Sequence, residues 1–165
     1  MRQLILLRHA EADYLSEDGT DFSRPLSVRG QNELPMVASA LQPYLSARII
    51  CLCSPALRTR QTFDIGTKYW PEMETIYDES LYNASQDRLF HAIDAIAQKA
   101  DTVLVIGHNP GLSQLLRTLS PDSPADMPTS AAAILGQTAK ADLFSNMSVL
   151  AFLTCSSLMP MEGAR

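Results

Sequence analysis

Short apolar runs alternate along this chain with longer segments in which apolar residues recur every three or four positions. The runs over residues 4–7, 48–53 and 101–107 are almost continuously apolar and are bounded by polar or charged residues. Runs of this length and composition are typical of strands that are buried on both faces of a parallel sheet. The third run is rich in β-branched residues, which favours a strand further.

The segments between these runs have the spacing of amphipathic helices. Apolar residues after Ser27 follow a helical period as far as Leu45, although Pro35 lies within the pattern and predicts a kink or a break. Further helices are predicted over 55–69, 86–99 and 111–119, and a short strand over 73–77. The sequence between Ala12 and Pro25 is polar and is predicted to be a surface loop.

Three helix starts carry recognisable N-terminal signals. Ser27 precedes the first helix as a candidate N-cap. Ser54-Pro55 and Asn109-Pro110 each combine a cap residue with a proline suited to the first helical position. The first pair directly follows a predicted strand and the second follows one after His108, so the pattern predicts strands that lead almost straight into helices.

This alternation predicts a single three-layer α/β/α domain with a mainly parallel central sheet. Two closing strands, over 131–137 and 148–154, have no helix between them. A chain of 165 residues is long enough for one such domain with a sizeable core. We expect the domain to span residues 1–155 and residues 156–165 to form a flexible C-terminal tail.

Charge and composition narrow the possible partners and the compartment. The chain has 18 acidic and 13 basic residues, a formal charge of −5, which argues against nucleic acid or an anionic membrane surface as the main partner. No apolar run reaches the roughly 20 residues of a membrane span, nor the h-region of a signal peptide. Three cysteines, of which Cys51 and Cys53 lie in a predicted strand, suggest buried free thiols. We expect a cytoplasmic protein.

The candidate chemistry lies where the predicted strands end. Arg8 and His9 follow the first strand, Arg58 lies in the first turn after the second, His108 follows the strand over 101–107, and Arg24 lies on a loop from the same side. Carboxyl ends of parallel strands share one edge, where open α/β sheets bind ligands. Each residue alone fits a surface ion pair, but together they predict a local anion site on an acidic protein.

The motifs around these residues resemble those of a known family. Residues 7–11 (LRHAE), 24–30 (RPLSVRG), 54–62 (SPALRTRQT) and 107–110 (GHNP) resemble, in the same order, the motifs of the histidine phosphatase superfamily, whose fold is phosphoglycerate-mutase-like. Ala10 stands where the family usually has glycine. Without a large cap insertion, the chain is most similar to the SixA-type phosphohistidine phosphatases.

The resemblance implies a phosphatase that works through a phosphohistidine intermediate. It implies that His9 is the nucleophile, that Arg8 and Arg58 bind the phosphate oxygens with Arg24 as a third cationic contact, and that His108 donates to the transferring phosphoryl group. Such a step is mostly positioning and electrostatics, so we expect no metal and no other cofactor.

The resemblance gives only a candidate for the general acid and leaves two classes of substrate open. Larger family members use a glutamate after the third strand, for which Glu79 is the candidate here. If Glu79 is out of reach, substrates with good leaving groups, such as phosphohistidine, are favoured. The expected partner is therefore a protein that carries phosphohistidine, or else a small phosphomonoester.

Two other classes of function remain open at this stage. The chain could be a phosphate-binding regulatory module without turnover, although intact His9 and His108 argue against it. It could also be a metal hydrolase that uses both histidines with Glu11 or Asp13, although arginines beside a metal ion would repel it.

Overall fold

The computed structural model describes residues 1–45, 48–137, 144 and 147–159. Its strands are β1 (Gln3–Arg8), β2 (Ile49–Cys53), β3 (Glu74–Tyr77), β4 (Thr102–Gly107), β5 (Ala132–Gln137) and β6 (Met147–Leu153). Its α-helices are α1 (Val28–Leu41), α2 (Leu57–Gly66), α3 (Gln86–Ala97), α4 (Gly111–Leu119) and the short α5 (Cys155–Leu158). Two 3₁₀ turns, Gln42–Tyr44 and Glu79–Leu81, complete the described elements.

The six strands form one mainly parallel sheet, as the sequence predicts. Their order is β3-β2-β4-β1-β5-β6, in which β1 to β4 are mutually parallel, while β5 runs antiparallel to β1 and β6 antiparallel to β5. The two closing strands are the antiparallel pair. Helices separate the parallel strands in sequence because a parallel connection needs a crossover.

The register aligns the carboxyl ends of the three central strands. Arg8 pairs with Gly107 across β1 and β4, and Cys53 pairs with Ile106 across β2 and β4. The next residues of these strands are therefore neighbours at one edge of the sheet. This alignment brings His9, which follows β1, close to His108, which follows β4.

Alternate residues of the sheet face two separate apolar layers. Leu4 and Leu6 of β1 pack in a core with residues of α3 and α4, whereas Ile5 and Leu7 pack in a second core with residues of α1. Successive strand residues point to opposite faces, so a strand apolar throughout must be covered on both. This arrangement confirms the three-layer α/β/α prediction.

The helix boundaries confirm one predicted cap and correct other details. Ser27 is the N-cap of α1, since its Oγ accepts a hydrogen bond from the backbone N–H of Gly30 at 3.0 Å. Of the kink or break predicted at Pro35, the break is wrong, because α1 continues through Pro35 to Leu41. Helix α2 ends at Gly66, whereas the sequence predicted an end near residue 69. The ring of Trp70 packs against Gly66 at this end of the helix.

The predicted caps of α2 and α4 are displaced by one or two residues. Ser54 is not a helix cap, because its backbone N–H donates to Ile106 O at 3.1 Å and extends the sheet pairing by one residue. Helix α2 therefore begins at Leu57, after Ala56. Helix α4 begins at Gly111 after Pro110, and the Asn109 side chain still accepts from the N–H of Ser113 at 3.3 Å.

The C-terminal segment begins with an ordered turn of helix. Thr154 caps α5 through its side chain, and Cys155 is buried against the core that contains α1. The boundary predicted at residue 155 thus falls within this helix, and residues 160–165 of the predicted tail lie outside the described residues. No helix among the described residues is long and apolar enough to cross a membrane.

Candidate active site

A polar cavity of about 350 Å³ opens at the carboxyl edge of the sheet. Five of the six side chains predicted as site residues line it, which are Arg8, His9, Arg24, Arg58 and His108. Its other lining residues are Glu11, Ala12, Tyr14, Asp21, Asn83, Asn109 and Thr129. The topology therefore brings together cationic and imidazole groups that are as much as 100 residues apart in sequence.

His9 is held in one orientation by the residue that follows it. Its Nδ1 lies 2.7 Å from the carbonyl oxygen of Ala10, and a carbonyl only accepts, so Nδ1 carries the proton and Nε2 is left unprotonated. Burial, together with the positive charges of Arg58 and Arg8, lowers the pKa of His9 to about 4, against the opposing effect of the hydrogen bond to Ala10. His9 is therefore a neutral imidazole with a free lone pair at neutral pH, as a nucleophile requires.

Ala10 occupies its position without backbone strain. Among the described non-glycine residues, only Asn83 and Ser130 have positive φ, so the backbone at Ala10 needs no glycine. Ala10 is fully buried, and its N–H donates to Thr62 Oγ1 at 3.1 Å. Alanine in place of the glycine usual in the family therefore does not change the orientation of His9.

His108 lies beside His9 and forms a hydrogen bond with Ser54, the residue that follows β2. The two ring centroids are 5.2 Å apart, and Nε2 of His108 lies 2.7 Å from Ser54 Oγ. Burial, together with the electrostatic effects of His9 and Arg58, lowers the pKa of His108 to about 3. His108 is therefore also neutral in the ligand-free protein.

Arg8 is anchored on the segment that precedes β5. Its Nη1 donates to the carbonyl oxygen of Met127 at 2.8 Å, and its buried Nε has no partner among the described residues. Burial lowers the pKa of Arg8, and the negative charge of Asp126 partly opposes this shift. One edge of the guanidinium is thus fixed by the protein, while further N–H groups are free to bind an anion in the cavity.

Arg58 and Arg24 converge on one carboxylate, Asp21. Arg58 is only 4% exposed, and its Nη1 and Nη2 donate to the main-chain oxygen of Asp21 at 2.6 Å and to its Oδ2 at 3.0 Å. Arg24 donates to Oδ1 of Asp21 at 2.8 Å, and the Tyr82 hydroxyl donates to Oδ2 at 2.6 Å. These bonds hold the loop over residues 12–25 against the cavity.

Asp21 is consequently a poor proton donor. The hydrogen bonds from Tyr82 and Arg24, together with the charge of Arg58, hold the pKa of this carboxyl far below its ordinary range. A carboxylate that stays ionised at every moderate pH acts as a counterion and hydrogen-bond acceptor. It partly offsets the positive charge of the cavity.

Glu79, the predicted candidate acid, does not line the cavity. The 3₁₀ turn Glu79–Leu81 is capped by Asp78, whose side chain accepts from the N–H of Ser80 at 2.8 Å. This turn buries Leu81 and leaves Glu79 exposed. The structure therefore does not bring Glu79 into the cavity with His9.

The other carboxylates considered from sequence are engaged or distant. Glu11 lines the cavity, but its Oε1 accepts from Ser27 Oγ at 2.8 Å and its Oε2 lies 3.3 Å from Arg29. Asp13 is exposed and does not line the cavity. Within the described ranges, no three or more His, Cys, Asp or Glu side chains are grouped closely enough to hold a metal ion.

Three residues that line the cavity or support its lining were not identified from sequence. Asp21 lines it, Ser54 contacts His108, and Tyr82 donates to Asp21. Ser54 lies in a recognised motif, but the following proline favoured its interpretation as a helix cap. Asp21 is one of several acidic residues in a polar loop, and nothing local distinguishes it. Only the tertiary placement of the loop shows that it contacts Arg58.

Sequence comparisons match the first half of the chain to one family. A model of the histidine phosphatase superfamily (branch 1) matches residues 4–85. An uncharacterised protein of Mycobacterium tuberculosis is 34% identical over 121 residues, 73% of each chain. Another from Mycobacterium leprae is 31% identical over 117 residues, 69% of this chain and 71% of the relative.

Solved structures show the same fold. A candidate phosphohistidine phosphatase SixA from Agrobacterium tumefaciens superposes with a TM-score of 0.79 at 26% identity, covering 93% of this chain and 98% of that one. A second candidate SixA, from Nakamurella, gives 0.76 at 26% identity, with 93% and 95% covered. A SixA protein complexed with tungstate gives 0.80 at 24% identity, covering 95% and 99%, a likeness of fold.

Proposed function

The chain belongs to the histidine phosphatase superfamily, and from that premise we propose that it removes phosphate from phosphohistidine on a protein through an intermediate on His9. One observation carries the proposal. The Ala10 carbonyl occupies Nδ1 of His9, so the unprotonated Nε2 is the nitrogen available to a phosphoryl group in a cavity lined by three arginines.

In the first step, Nε2 of His9 attacks phosphorus in line with the leaving group. A bond forms between His9 and phosphorus as the bond to the substrate breaks, and Arg8, Arg24 and Arg58 bind the phosphoryl oxygens. His108 donates a hydrogen bond to the same group. Phosphorylated His9 keeps its proton on Nδ1, and the Ala10 carbonyl stabilises the resulting positive ring.

In the second step, water attacks the phosphorus of phosphorylated His9. The electron pair of the breaking N–P bond returns to Nε2, so His9 is again neutral with its proton on Nδ1. Inorganic phosphate leaves with both protons of the water molecule. No residue other than His9 changes its covalent state, and the protein's contribution is orientation and charge.

The carboxylates near the cavity favour a substrate that needs no protein acid. Glu79 is outside the cavity, Asp21 stays ionised between arginines, and Glu11 is bonded to Ser27 and Arg29. An alkoxide leaving group needs protonation, whereas the imidazole of phosphohistidine takes its proton on the ring nitrogen away from phosphorus and leaves neutral. Transfer from phosphohistidine to His9 therefore moves the phosphoryl group from one imidazole nitrogen to another, without a protein acid.

Other features support the same proposal. The likeness at 26% identity to candidate phosphohistidine phosphatases supports a protein-borne substrate. We propose that the reaction requires no metal ion, since arginines and a histidine supply the charge stabilisation. We also propose a cytoplasmic location, in keeping with three free cysteines, Cys51, Cys53 and Cys155.

The test is phosphate release from a carrier protein that bears phosphohistidine, measured in the presence of a chelator. We expect release by the wild type and by His91→Gln, which changes an exposed histidine on α3, and none by His9→Ala. Release that requires a divalent cation would overturn metal independence. Activity on small phosphomonoesters alone would show that these, and not phosphohistidine proteins, are the substrate. Anion binding without any turnover would show that the chain is a phosphate-binding module.

A further inference from the structure

Ser54 makes the one side-chain hydrogen bond to His108 recorded in the described part of the chain. Its Oγ lies 2.7 Å from Nε2, and the residue is fully buried. The Ser54 N–H donates to Ile106 O at 3.1 Å, and the Ser54 carbonyl accepts from Thr59 Oγ1 at 2.7 Å. The hydroxyl is therefore fixed relative to β4, the strand that His108 follows.

A neutral imidazole carries one proton, and this contact is compatible with two placements of it. If the proton is on Nε2, His108 donates to Ser54 and presents a lone pair on Nδ1. If the proton is on Nδ1, the Ser54 hydroxyl donates to Nε2 and the ring keeps an N–H. A lone pair repels a phosphoryl oxygen, whereas an N–H attracts it, so only the second placement suits an anion cavity.

The unpaired state of Nδ1 is compatible with either placement, and an N–H on Nδ1 is the form that an anion can bind. Nδ1 of His108 is buried and has no hydrogen-bond partner among the described residues. The groups that surround the ring are His9, Arg58, Arg8 and Asp21, which act on it through charge, and Tyr82, whose ring lies edge-on at 5.6 Å between centroids. None of these has a recorded hydrogen bond to His108, so the hydroxyl of Ser54 alone distinguishes the two nitrogens.

We infer that Ser54 is a positioning residue for His108, whose hydroxyl donates to Nε2 and thereby places the proton of the neutral ring on Nδ1. The consequence for turnover rests on the proposed function, while the proton placement needs only that the cavity binds an anion. Serine suits this role because its hydroxyl can donate here and can also accept if His108 becomes protonated when a phosphate dianion binds.

The direct test is ¹⁵N NMR of the imidazole nitrogens in the wild type. The chain has only three histidines, and the His91→Gln and His9→Ala variants assign the signals by difference. At pH 7 we expect His108 to show a protonated Nδ1 and an unprotonated Nε2. A His108 signal with its proton on Nε2 would overturn the inference without any variant at Ser54.

Two substitutions at Ser54 and one elsewhere extend the test. Ser54→Ala removes the donor, so we expect the His108 signals to move to the Nε2-protonated form or to a mixture, while Ser54→Thr restores the wild-type form. The control is Thr102→Val, which removes a buried hydroxyl at the other end of β4. The control should leave the His108 signals unchanged. An unchanged His108 in a folded Ser54→Ala protein would contradict the inference.

Kinetics separate this inference from the proposed function. With a phosphohistidine carrier we expect Ser54→Ala to lower kcat by about tenfold or more, with a smaller change in KM, and Ser54→Thr to recover most of it. Full activity in Ser54→Ala would overturn the positioning role. If the wild type has no phosphatase activity but His108 carries its proton on Nδ1, the proposed function fails and the assignment of Ser54 stands.

Discussion

Asp21 and Arg58 are joined by two hydrogen bonds, one to the main-chain oxygen and one to the carboxylate of Asp21, at 2.6 and 3.0 Å. Arg58 lies at the start of α2 and Asp21 on the 12–25 loop, so the pair closes that loop against the cavity wall. The same guanidinium is proposed to bind phosphate. In that proposal, a carboxylate of the protein shares this arginine with the phosphate.

We predict that Asp21→Asn strengthens binding of inorganic phosphate by about three- to tenfold, because it removes a negative charge from the cavity wall. The main-chain bond to Arg58 remains in this variant, so the guanidinium keeps its orientation. Isothermal titration calorimetry measures the affinity. Asp94→Asn removes the same charge from the exposed face of α3 and should leave the affinity unchanged.

The same substitution is expected to lower the free energy of unfolding by about 1 kcal/mol, because a buried arginine loses an ionised partner whose own side chain is half exposed and screened by water. Chemical denaturation measures this quantity. Weaker phosphate binding in Asp21→Asn would show instead that the carboxylate orients Arg58 for the anion.

The lowered pKa values of the two histidines predict loss of stability in acid. His9 and His108 titrate near pH 4 and 3 when folded, against an ordinary value of 6.5. Between about pH 6.5 and 4 the unfolded chain binds more protons, so the free energy of unfolding falls as the pH is lowered. Denaturation at several pH values measures this, and His9→Asn should remove part of the slope.

The ring of His9 should bind a proton at a lower pH than an ordinary histidine does. Since His9 stays neutral down to about pH 4, NMR titration of its ring should show no midpoint near 6.5 in the free protein. A titration midpoint of His9 at 6 or above would contradict the account of a buried nucleophile held neutral by burial and by the nearby arginines.

Glu79→Gln should leave turnover of a phosphohistidine carrier within about twofold of the wild type. Glu79 is exposed and does not line the cavity, and the proposed leaving group needs no protein acid. Steady-state kinetics on a phosphohistidine carrier and on an alkyl phosphomonoester give the comparison. A loss of tenfold or more with the carrier would mean that Glu79 reaches the site.

Gly111→Ala should destabilise the protein by about 1–3 kcal/mol. A Cβ at Gly111 would overlap the carbonyl oxygen of Ala84, a backbone atom that cannot move without disturbing the start of α3. Gly107→Ala is the matched control, because its Cβ would meet only Leu112 at 3.7 Å. Equal unfolding free energies for the two variants would contradict this packing argument.

The sheet and the helices were predictable from sequence because their signals are local. Continuous apolar runs mark β1, β2 and β4, and the alternation of strands with helices dictates parallel pairing. The same logic places Arg8, His9, Arg58 and His108 at one edge, since each follows or nearly follows a strand end. Arg24 also lies there, on the loop that leaves the same edge after β1.

The corrections arise where tertiary contacts override local preferences. Ser54 has the sequence context of a helix cap, but backbone pairing with Ile106 keeps it in the sheet and directs its hydroxyl to His108. Asp21 and Glu79 are both acidic loop residues in the sequence. Only the packing of Tyr82 and Leu81 in three dimensions brings the first to the cavity and leaves the second outside.

The most direct test of the central claim is to look for the covalent intermediate. The wild type is mixed with a phosphohistidine carrier, quenched in alkali within milliseconds, and its peptides are analysed by mass spectrometry. We predict one phosphoryl group on His9 and none on His91 or His108, with no labelled peptide in His9→Ala. Rapid phosphate release without phosphorylated His9, or a phosphoryl group on another residue, would contradict the account.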